Sequence, residues 1–229
     1  MFIVCIRNLI NIITWCYLGP VPAEASSARP WVPAHPTLPV LIAAAKHCEG
    51  CELFKPATQT VFGEGRPGSK LVLAGEQPGD AEDRAGRPFV GPAGRLLDRA
   101  LEDAGIDRES VYVTNAVKHF RFEERGKRRI HKKPTSAQIV ACRPWLEAEL
   151  AVIRPAVLVA LGATAVQSLA GRNVHVLRDR GKLLESSFAK ALVVTIHPSA
   201  LLRMPDRSQF DDEYAQFVAD LAVAQKHAK

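Results

Sequence analysis

The chain has 229 residues, 47% hydrophobic and 24% charged, which is typical of a globular protein with one well-packed core and argues against a second full domain. Thirty basic residues against 24 acidic ones give a net charge of +6. Eight Lys/Arg against two Glu in residues 118–133 account for that whole excess. A basic segment on an otherwise neutral body predicts a polyanion site, with a solvated loop as the alternative.

The first residues differ from the rest of the chain. Arg7 precedes an apolar stretch at 9–18, and small residues follow at 23–28, as in a secretory signal peptide. The stretch is shorter than the roughly 20 apolar residues that cross a membrane. This pattern alone predicts export, for example of a secreted hydrolase. The remaining motifs favour a cytoplasmic protein, so we expect 1–40 to be an extension from an upstream start codon, disordered or weakly attached, and 41–229 to be the domain.

Four apolar runs, rich in β-branched residues and without polar alternation, predict strands buried on both faces. They lie at 71–74, 111–114, 157–161 and 192–196, and helical patterns fall at 94–104, 135–153, 163–170 and 209–228. This alternation predicts a three-layer α/β/α sandwich around a central four-stranded parallel sheet. Sites in such sheets lie beyond the carboxyl ends of the strands, which selects the loops 75–80, 115–119 and 197–199.

A possible metal site starts from the pair Cys48 and Cys51, spaced C-x-x-C as two ligands of one metal or cluster are. Cys142 falls on a predicted helix and His119 just after the second strand, so the fold could assemble a Cys3His site. A disulfide or redox pair is the alternative for Cys48 and Cys51. Zinc and an iron–sulfur cluster both fit this ligand set.

Two glycine-rich turns follow the first strand, at 75–80 and 86–94, and allow a ligand to approach the backbone closely. Glu76 and Asp80 bring carboxylates to the first turn, and Phe89 in the second could stack on a flat ligand. Asn115 and His197 follow two other strands. Polar groups of this kind at neighbouring strand ends predict an active site.

These motifs together resemble the family 4 iron–sulfur uracil-DNA glycosylases. The shared patterns are G-E-x-P-G, G-R-P-F-V-G-x-A-G, T-N-x-V-K and H-P-S, with C-x-x-C and Cys142, and they extend from residue 41 to the last helix. In two features the chain resembles the branch called UdgX, which cross-links itself to uracil-containing DNA. These are Gln77, in place of an alanine, and a basic insertion at 127–132 that includes His131. His119 stands where ordinary members have a cysteine. The resemblance implies a 4Fe–4S cluster on Cys48, Cys51, His119 and Cys142.

The resemblance also implies roles for individual residues. Phe89 would stack on a flipped uracil, Asn115 would read its O4 and N3–H, and His197 would stabilise the charge on O2. Uracil binding is expected at Gly75, Gln77, Phe89, Asn115 and His197, and catalysis at Glu76, Gln77, Asp80, His131 and His197. DNA contacts are expected at Lys127, Arg128, Arg129, Lys132, Ser199, Leu201 and Arg203, with Leu201 or Leu202 as the wedge that fills the gap in the stack.

The resulting hypothesis is an enzyme that excises uracil from DNA, preferring single strands, and ends its reaction bonded through His131 to C1′ of the sugar. One alternative is an ordinary multiple-turnover glycosylase in which His131 contacts phosphate. Another is a non-enzymatic single-stranded DNA binder that uses the cluster as a scaffold. That alternative gives no use to Phe89, Asn115 and His197 together. We expect a monomer that needs no protein partner and no membrane.

Overall fold

The computed structural model describes residues 26–171 and 173–228. Its strands are β1 (Leu71–Gly75), β2 (Tyr112–Asn115), β3 (Phe122–Arg125), β4 (Arg128–His131), β5 (Val157–Leu161), β6 (Leu183–Leu184) and β7 (Ala191–Thr195). Its α-helices are α1 (Leu38–Ala45), α2 (Asp80–Ala85), α3 (Pro92–Asp103), α4 (Ser136–Ile153), α5 (Gly162–Leu169), α6 (Val176–Asp179), α7 (Pro198–Leu201) and α8 (Arg207–Ala228).

The central sheet has the order β2-β1-β5-β7-β6. Its four long strands are parallel and match the four predicted runs to within one residue at each end, because every residue in them is buried. The short β6 adds an antiparallel edge strand that the sequence pattern did not predict. β2 lies on one side of β1, and the next strand of the sheet along the chain, β5, lies on the other side. The strand order therefore reverses at β1, and ligands bind α/β sheets at such a switch point.

Alternate residues of the strands face two hydrophobic layers, which confirms the predicted α/β/α sandwich. One layer packs the sheet against α1, α4 and α5, with Trp145 of α4 fully buried. The opposite layer packs it against α3 and α8, where Leu97 and Phe217 are fully buried. Within the described residues, no helix is long and apolar enough to cross a membrane.

The domain begins earlier than residue 41. Ala28 is buried and donates its backbone N–H to Ala141 O at 2.7 Å, and α1 starts at Leu38, which is also buried. Ala28 and Leu38 therefore pack on the domain, within the range predicted to be an extension. The remainder of that predicted extension, 1–25, lies outside the described residues.

The basic insertion forms an antiparallel hairpin of β3 and β4, separate from the central sheet, rather than a loop. Phe122 pairs with His131 at its base, and the turn contains Gly126 at φ 59°, a left-handed conformation that glycine adopts without strain. This pairing places His131 at the end of β4, beside the first glycine-rich turn.

Candidate active site

Three side chains converge over the last residue of β1. A Cβ built at Gly75 would lie 2.5 Å from Asn115 Oδ1, 2.7 Å from Phe89 Cζ and 3.3 Å from His197 Nε2. Only glycine fits there, and the same geometry puts an amide, an aromatic ring and an imidazole nitrogen around one small space. The Phe89 and His197 rings are 6.1 Å apart and 27° from parallel. An amide, an aromatic ring and an imidazole N–H are the kinds of group that recognise a flat, hydrogen-bonding heterocycle.

His197 is held in one tautomer by its position at the start of α7. Its Nδ1 accepts the backbone N–H of Ser199 at 3.2 Å and lies 2.8 Å from the Ser199 hydroxyl. The proton of the neutral ring is therefore on Nε2, the atom that faces the pocket. Burial, with nearby Arg203 and His131, lowers the pKa of His197 to about 4. At neutral pH the ring is an uncharged donor aimed at the pocket.

The two glycine-rich turns are joined by Glu82, which is buried. Its carboxylate accepts the backbone N–H of Gly79 at 3.1 Å and that of Gly91 at 2.8 Å. This link fixes the loop that carries Phe89, whose φ of 56° is unusual for a residue with a bulky side chain. The sequence motifs do not single out Glu82, although its position three residues after the capping glycine is a common arrangement at helix starts.

Gln77 connects this turn to the hairpin. Its Oε1 accepts the Arg121 N–H at 3.0 Å, which orients the amide so that Nε2 is the donor. Nε2 lies 2.9 Å from His131 Nε2, 3.0 Å from Lys132 O and 3.2 Å from Arg121 O. Gln77 is thus within hydrogen-bond distance of His131, and it also holds both strands at the hairpin's base.

His131 and Glu76 lie side by side at the edge of the pocket. The distance from His131 Nε2 to Glu76 Oε1 is 3.3 Å, and half of the His131 side chain is exposed. The other carboxylate oxygen of Glu76 accepts the Thr164 hydroxyl at 2.5 Å, a contact from α5 that the sequence did not suggest. Burial lowers the pKa of His131 below its usual value, against the opposing pull of Glu76. The ring is thus neutral at physiological pH.

Arg129 is not placed as a DNA contact, contrary to expectation. It is only 13% exposed and forms ion pairs with Asp80 and with Asp83, the latter at 2.6 Å. Its guanidinium also lies over the rings of Phe120 and Phe122. These contacts use its hydrogen-bonding capacity internally, so Arg129 fastens β4 to α2.

Asp80 likewise has a different setting from the expected one. Its carboxylate pairs with Arg129 and with Arg84 of its own helix, the latter at 3.0 Å. Because these cations occupy the carboxylate, Asp80 anchors the hairpin, and Glu76 is the acidic group beside His131.

The remaining expected DNA contacts lie on the surface, with one exception. Leu201, in α7, is fully buried, whereas Leu202 is 48% exposed, so of the two only Leu202 is on the surface. Arg203 donates to the Ser199 hydroxyl at 3.2 Å, next to His197. Lys127 and Arg128 are exposed at the hairpin tip, and Lys132 pairs with Glu123 at 2.5 Å while remaining partly exposed.

The three expected cysteine ligands are buried free thiols, so Cys48 and Cys51 do not form a disulfide. Cys48 Sγ accepts the Trp145 indole N–H at 3.2 Å, and Cys142 Sγ accepts the Lys118 backbone N–H at 3.2 Å. Donors aimed at sulfur favour the thiolate, the form that ligates metals. Burial raises the pKa of Cys142 to about 12, so ligation there must displace a proton.

His119 has one ring nitrogen free for a ligand bond. The Thr60 hydroxyl donates to Ala45 O at 2.7 Å and therefore accepts from His119 Nε2, 2.9 Å away. Nδ1 keeps its lone pair, and burial lowers the pKa of the ring to about 4. A histidine that donates its other N–H to a fixed acceptor is the usual arrangement at metal sites.

The donor set contains ligand types that both zinc and iron–sulfur sites use. In the part of the chain that the structure describes, no three His, Cys, Asp or Glu side chains converge closely enough to hold one metal ion. A cluster of several irons separates its ligands more widely than one ion does, and its ligands are predominantly thiolates. The three buried thiols and the His119 imidazole are ligand types that such a cluster uses.

A profile of the uracil DNA glycosylase superfamily matches residues 62–222, and the chain belongs to this superfamily. It is similar to the type-4 uracil-DNA glycosylase of Thermotoga maritima, with 40% identity over 159 residues, 69% of this chain and 79% of that protein. The type-4 enzyme of Pyrobaculum aerophilum is 37% identical over 180 residues, 75% of this chain and 88% of that protein. A type-5 uracil-DNA glycosylase of Thermus thermophilus is 33% identical over 124 residues, about half of each chain.

Proposed function

We propose that this protein excises uracil from DNA and then captures the abasic sugar covalently through His131. The observation that carries the proposal is the position of His131 Nε2, 3.3 Å from Glu76 and 2.9 Å from Gln77, at the edge of the pocket over Gly75. The similarity to type-4 uracil-DNA glycosylases supports the first step. The hairpin that brings His131 to the pocket supports the second.

Excision follows from the pocket chemistry. A flipped uracil would stack on Phe89, while the Asn115 amide pairs with O4 and N3–H and rejects cytosine, whose donor and acceptor are reversed. As the C1′–N1 bond breaks, its electron pair passes to uracil, and His197 Nε2–H donates to the negative charge on O2. A preorganised donor of this kind contributes about 10²–10³ in rate. The Glu76 carboxylate faces the cationic sugar.

Capture follows if the imidazole reaches C1′ before water does. The Nε2 lone pair of neutral His131 forms a bond to C1′, the resulting imidazolium loses its Nδ1 proton to solvent, and the uracil anion takes a proton from water. Gln77, when it donates to Nε2, favours the tautomer that has this lone pair, and the hydrogen bond must break before the lone pair bonds to C1′. A nucleophile held in place competes with water by several orders of magnitude in effective concentration.

The wild-type protein tests both steps on one oligonucleotide. A single-stranded, uracil-containing DNA should lose uracil and yield a complex that survives boiling in detergent, with at most one DNA per protein. Thymine-containing DNA should give neither. Absence of uracil release would refute the glycosylase proposal, and release over many turnovers without a stable complex would leave the ordinary enzyme.

We further propose that Cys48, Cys51, His119 and Cys142 hold a 4Fe–4S cluster, which would act as a scaffold away from the reacting atoms. Anaerobically purified protein should be brown and contain iron and sulfide. His119→Ala and Cys142→Ala should each lose iron, because each removes one ligand. Folded, colourless protein with stoichiometric zinc would contradict this assignment, and a full cluster in either variant would remove that residue from the ligand set.

A further inference from the structure

A charged pair lies in the core behind the pocket, and neither catalysis nor DNA contact accounts for it. Lys118 and Glu149 are both fully buried, and the Lys118 ammonium bonds directly to a Glu149 oxygen. Burying two charges is costly, and an apolar pair of the same volume is often equally stable in such positions. The pair therefore calls for an explanation other than stability.

The sheet edge beside the pocket supplies that explanation. β2 is an edge strand, and residue 64 pairs with its outer side, where Val113 exchanges both backbone hydrogen bonds with Glu64 at 2.8 and 2.9 Å. Two residues after Val113, the carbonyl of Asn115 faces the same outer side of β2. The isolated bridge pairs Glu64 with Val113 and does not extend to Asn115. Lys118 Nζ fills that position and donates to Asn115 O at 2.9 Å.

The ammonium has a full set of partners that fix it there. Its other donors reach Thr114 Oγ1 at 2.7 Å and the Glu149 carboxylate, and the Phe62 ring lies 5.0 Å away. Glu149 in turn accepts from Tyr112 Oη at 2.8 Å and from the Thr114 hydroxyl at 3.0 Å. A fully satisfied buried network of this kind restricts the backbone to one arrangement.

We propose that Lys118 is a positioning residue for uracil recognition, which holds the main chain of Asn115 so that its side-chain amide faces the pocket. Glu149 neutralises and aims the ammonium. This inference rests on the proposed role of Asn115 in reading uracil. A shift of about 1 Å in a recognition group can reduce a rate by about 10²-fold, so a small relaxation at Asn115 O would be measurable.

The experiment replaces both charges, since removal of one would leave the other buried and unpaired. Lys118→Met/Glu149→Leu should stay folded with a lowered melting temperature, because the buried Gly63 N–H, Tyr112 hydroxyl and Asn115 carbonyl lose their partners. Its single-turnover excision rate at saturating protein should fall about 10²-fold. The protein concentration for half-saturation with DNA should change little, because that affinity comes mainly from phosphate contacts. The ratio of affinities for uracil-containing and cytosine-containing oligonucleotides should also decrease. Non-cleavable 2′-fluoro nucleotides allow this binding to be measured without excision.

Tyr112→Phe is the matched control. It removes one hydrogen bond to Glu149 but no contact of Lys118 or Asn115, so it should lower stability without changing rate or selectivity. If the double variant does not fold, isosteric Thr114→Val tests the same network without changing charge, with a smaller loss of excision expected. The inference would be overturned if a folded double variant excised uracil at the wild-type rate and with wild-type selectivity. If the double variant does not fold, the same result for Thr114→Val would overturn it. Failure of the wild type to excise uracil would instead overturn the proposed function.

Discussion

The pocket over Gly75 and the hairpin that carries His131 are built in different ways. The pocket is formed at the ends of three buried strands, so the positions of Gly75, Asn115 and His197 follow from the central sheet. The hairpin belongs to no larger sheet and is fastened mainly by two side chains, Gln77 and Arg129. Base recognition thus depends on the fold as a whole, whereas capture depends on a few contacts. The two activities should be separable by single substitutions.

The largest effect is expected in the pocket. Asn115→Ala should reduce uracil excision by about 10²–10³, since it removes the group that pairs with the base, while DNA affinity stays nearly unchanged. Single-turnover assays and binding to uracil-free DNA measure the two quantities. Because capture needs a released base, adduct formation should fall in parallel. Wild-type excision by Asn115→Ala would show that the pocket is misplaced.

A smaller and more selective effect is expected from the hairpin anchor. Arg129→Met should lower the yield of covalent complex about tenfold, because His131 would lose its fixed approach to C1′. Excision should persist. Because the substitution leaves buried Asp83 without its ion-pair partner, circular dichroism must first show that the variant is folded.

Arg128→Met is the matched control from the exposed tip of the same hairpin. It should leave the adduct yield unchanged. The slope of log DNA affinity against log salt concentration should decrease by about 1, as expected for the loss of one phosphate contact. Equal effects of the two substitutions on salt dependence would return Arg129 to the list of DNA contacts.

The pH dependence should also separate the two regions. Burial lowers the pKa of His131, Arg203 adds to this, and Glu76 and Glu82 oppose it. A lowered pKa keeps the ring neutral to more acidic pH, so adduct yield should begin to fall only at a pH below that at which an ordinary imidazole becomes protonated. Excision should continue further, because His197 stays neutral down to about pH 4. An adduct yield that already falls between pH 8 and 7 would contradict the lowered pKa.

The sequence predicted the sheet-borne part of the site better than the hairpin. The positions of Gly75, Asn115 and His197 at strand ends are predictable because buried strands have a recognisable pattern. The sequence pattern does not distinguish Arg128 from Arg129, because the basic segment shows no clear strand signal. In β4 these neighbouring side chains face opposite sides of the strand. Gly126, between β3 and β4, is the sequence signal that indicates a hairpin turn.

Other contacts depend on residues far apart in the chain. Lys118 meets Glu149 across 31 positions, and Thr164 meets Glu76 across 88, so no local pattern announces either pair. Leu201 and Leu202 could not be distinguished because α7 has only four residues, too few to define a buried face.

The most direct test of covalent capture is His131→Ser, assayed for uracil release and for boil-resistant complex in the same reaction. We predict that it releases uracil with repeated turnover, since the pocket is intact and water can reach the sugar, and that it gives no stable complex. A boil-resistant complex formed by His131→Ser would contradict the account, as would a wild-type protein that turns over many times without forming an adduct.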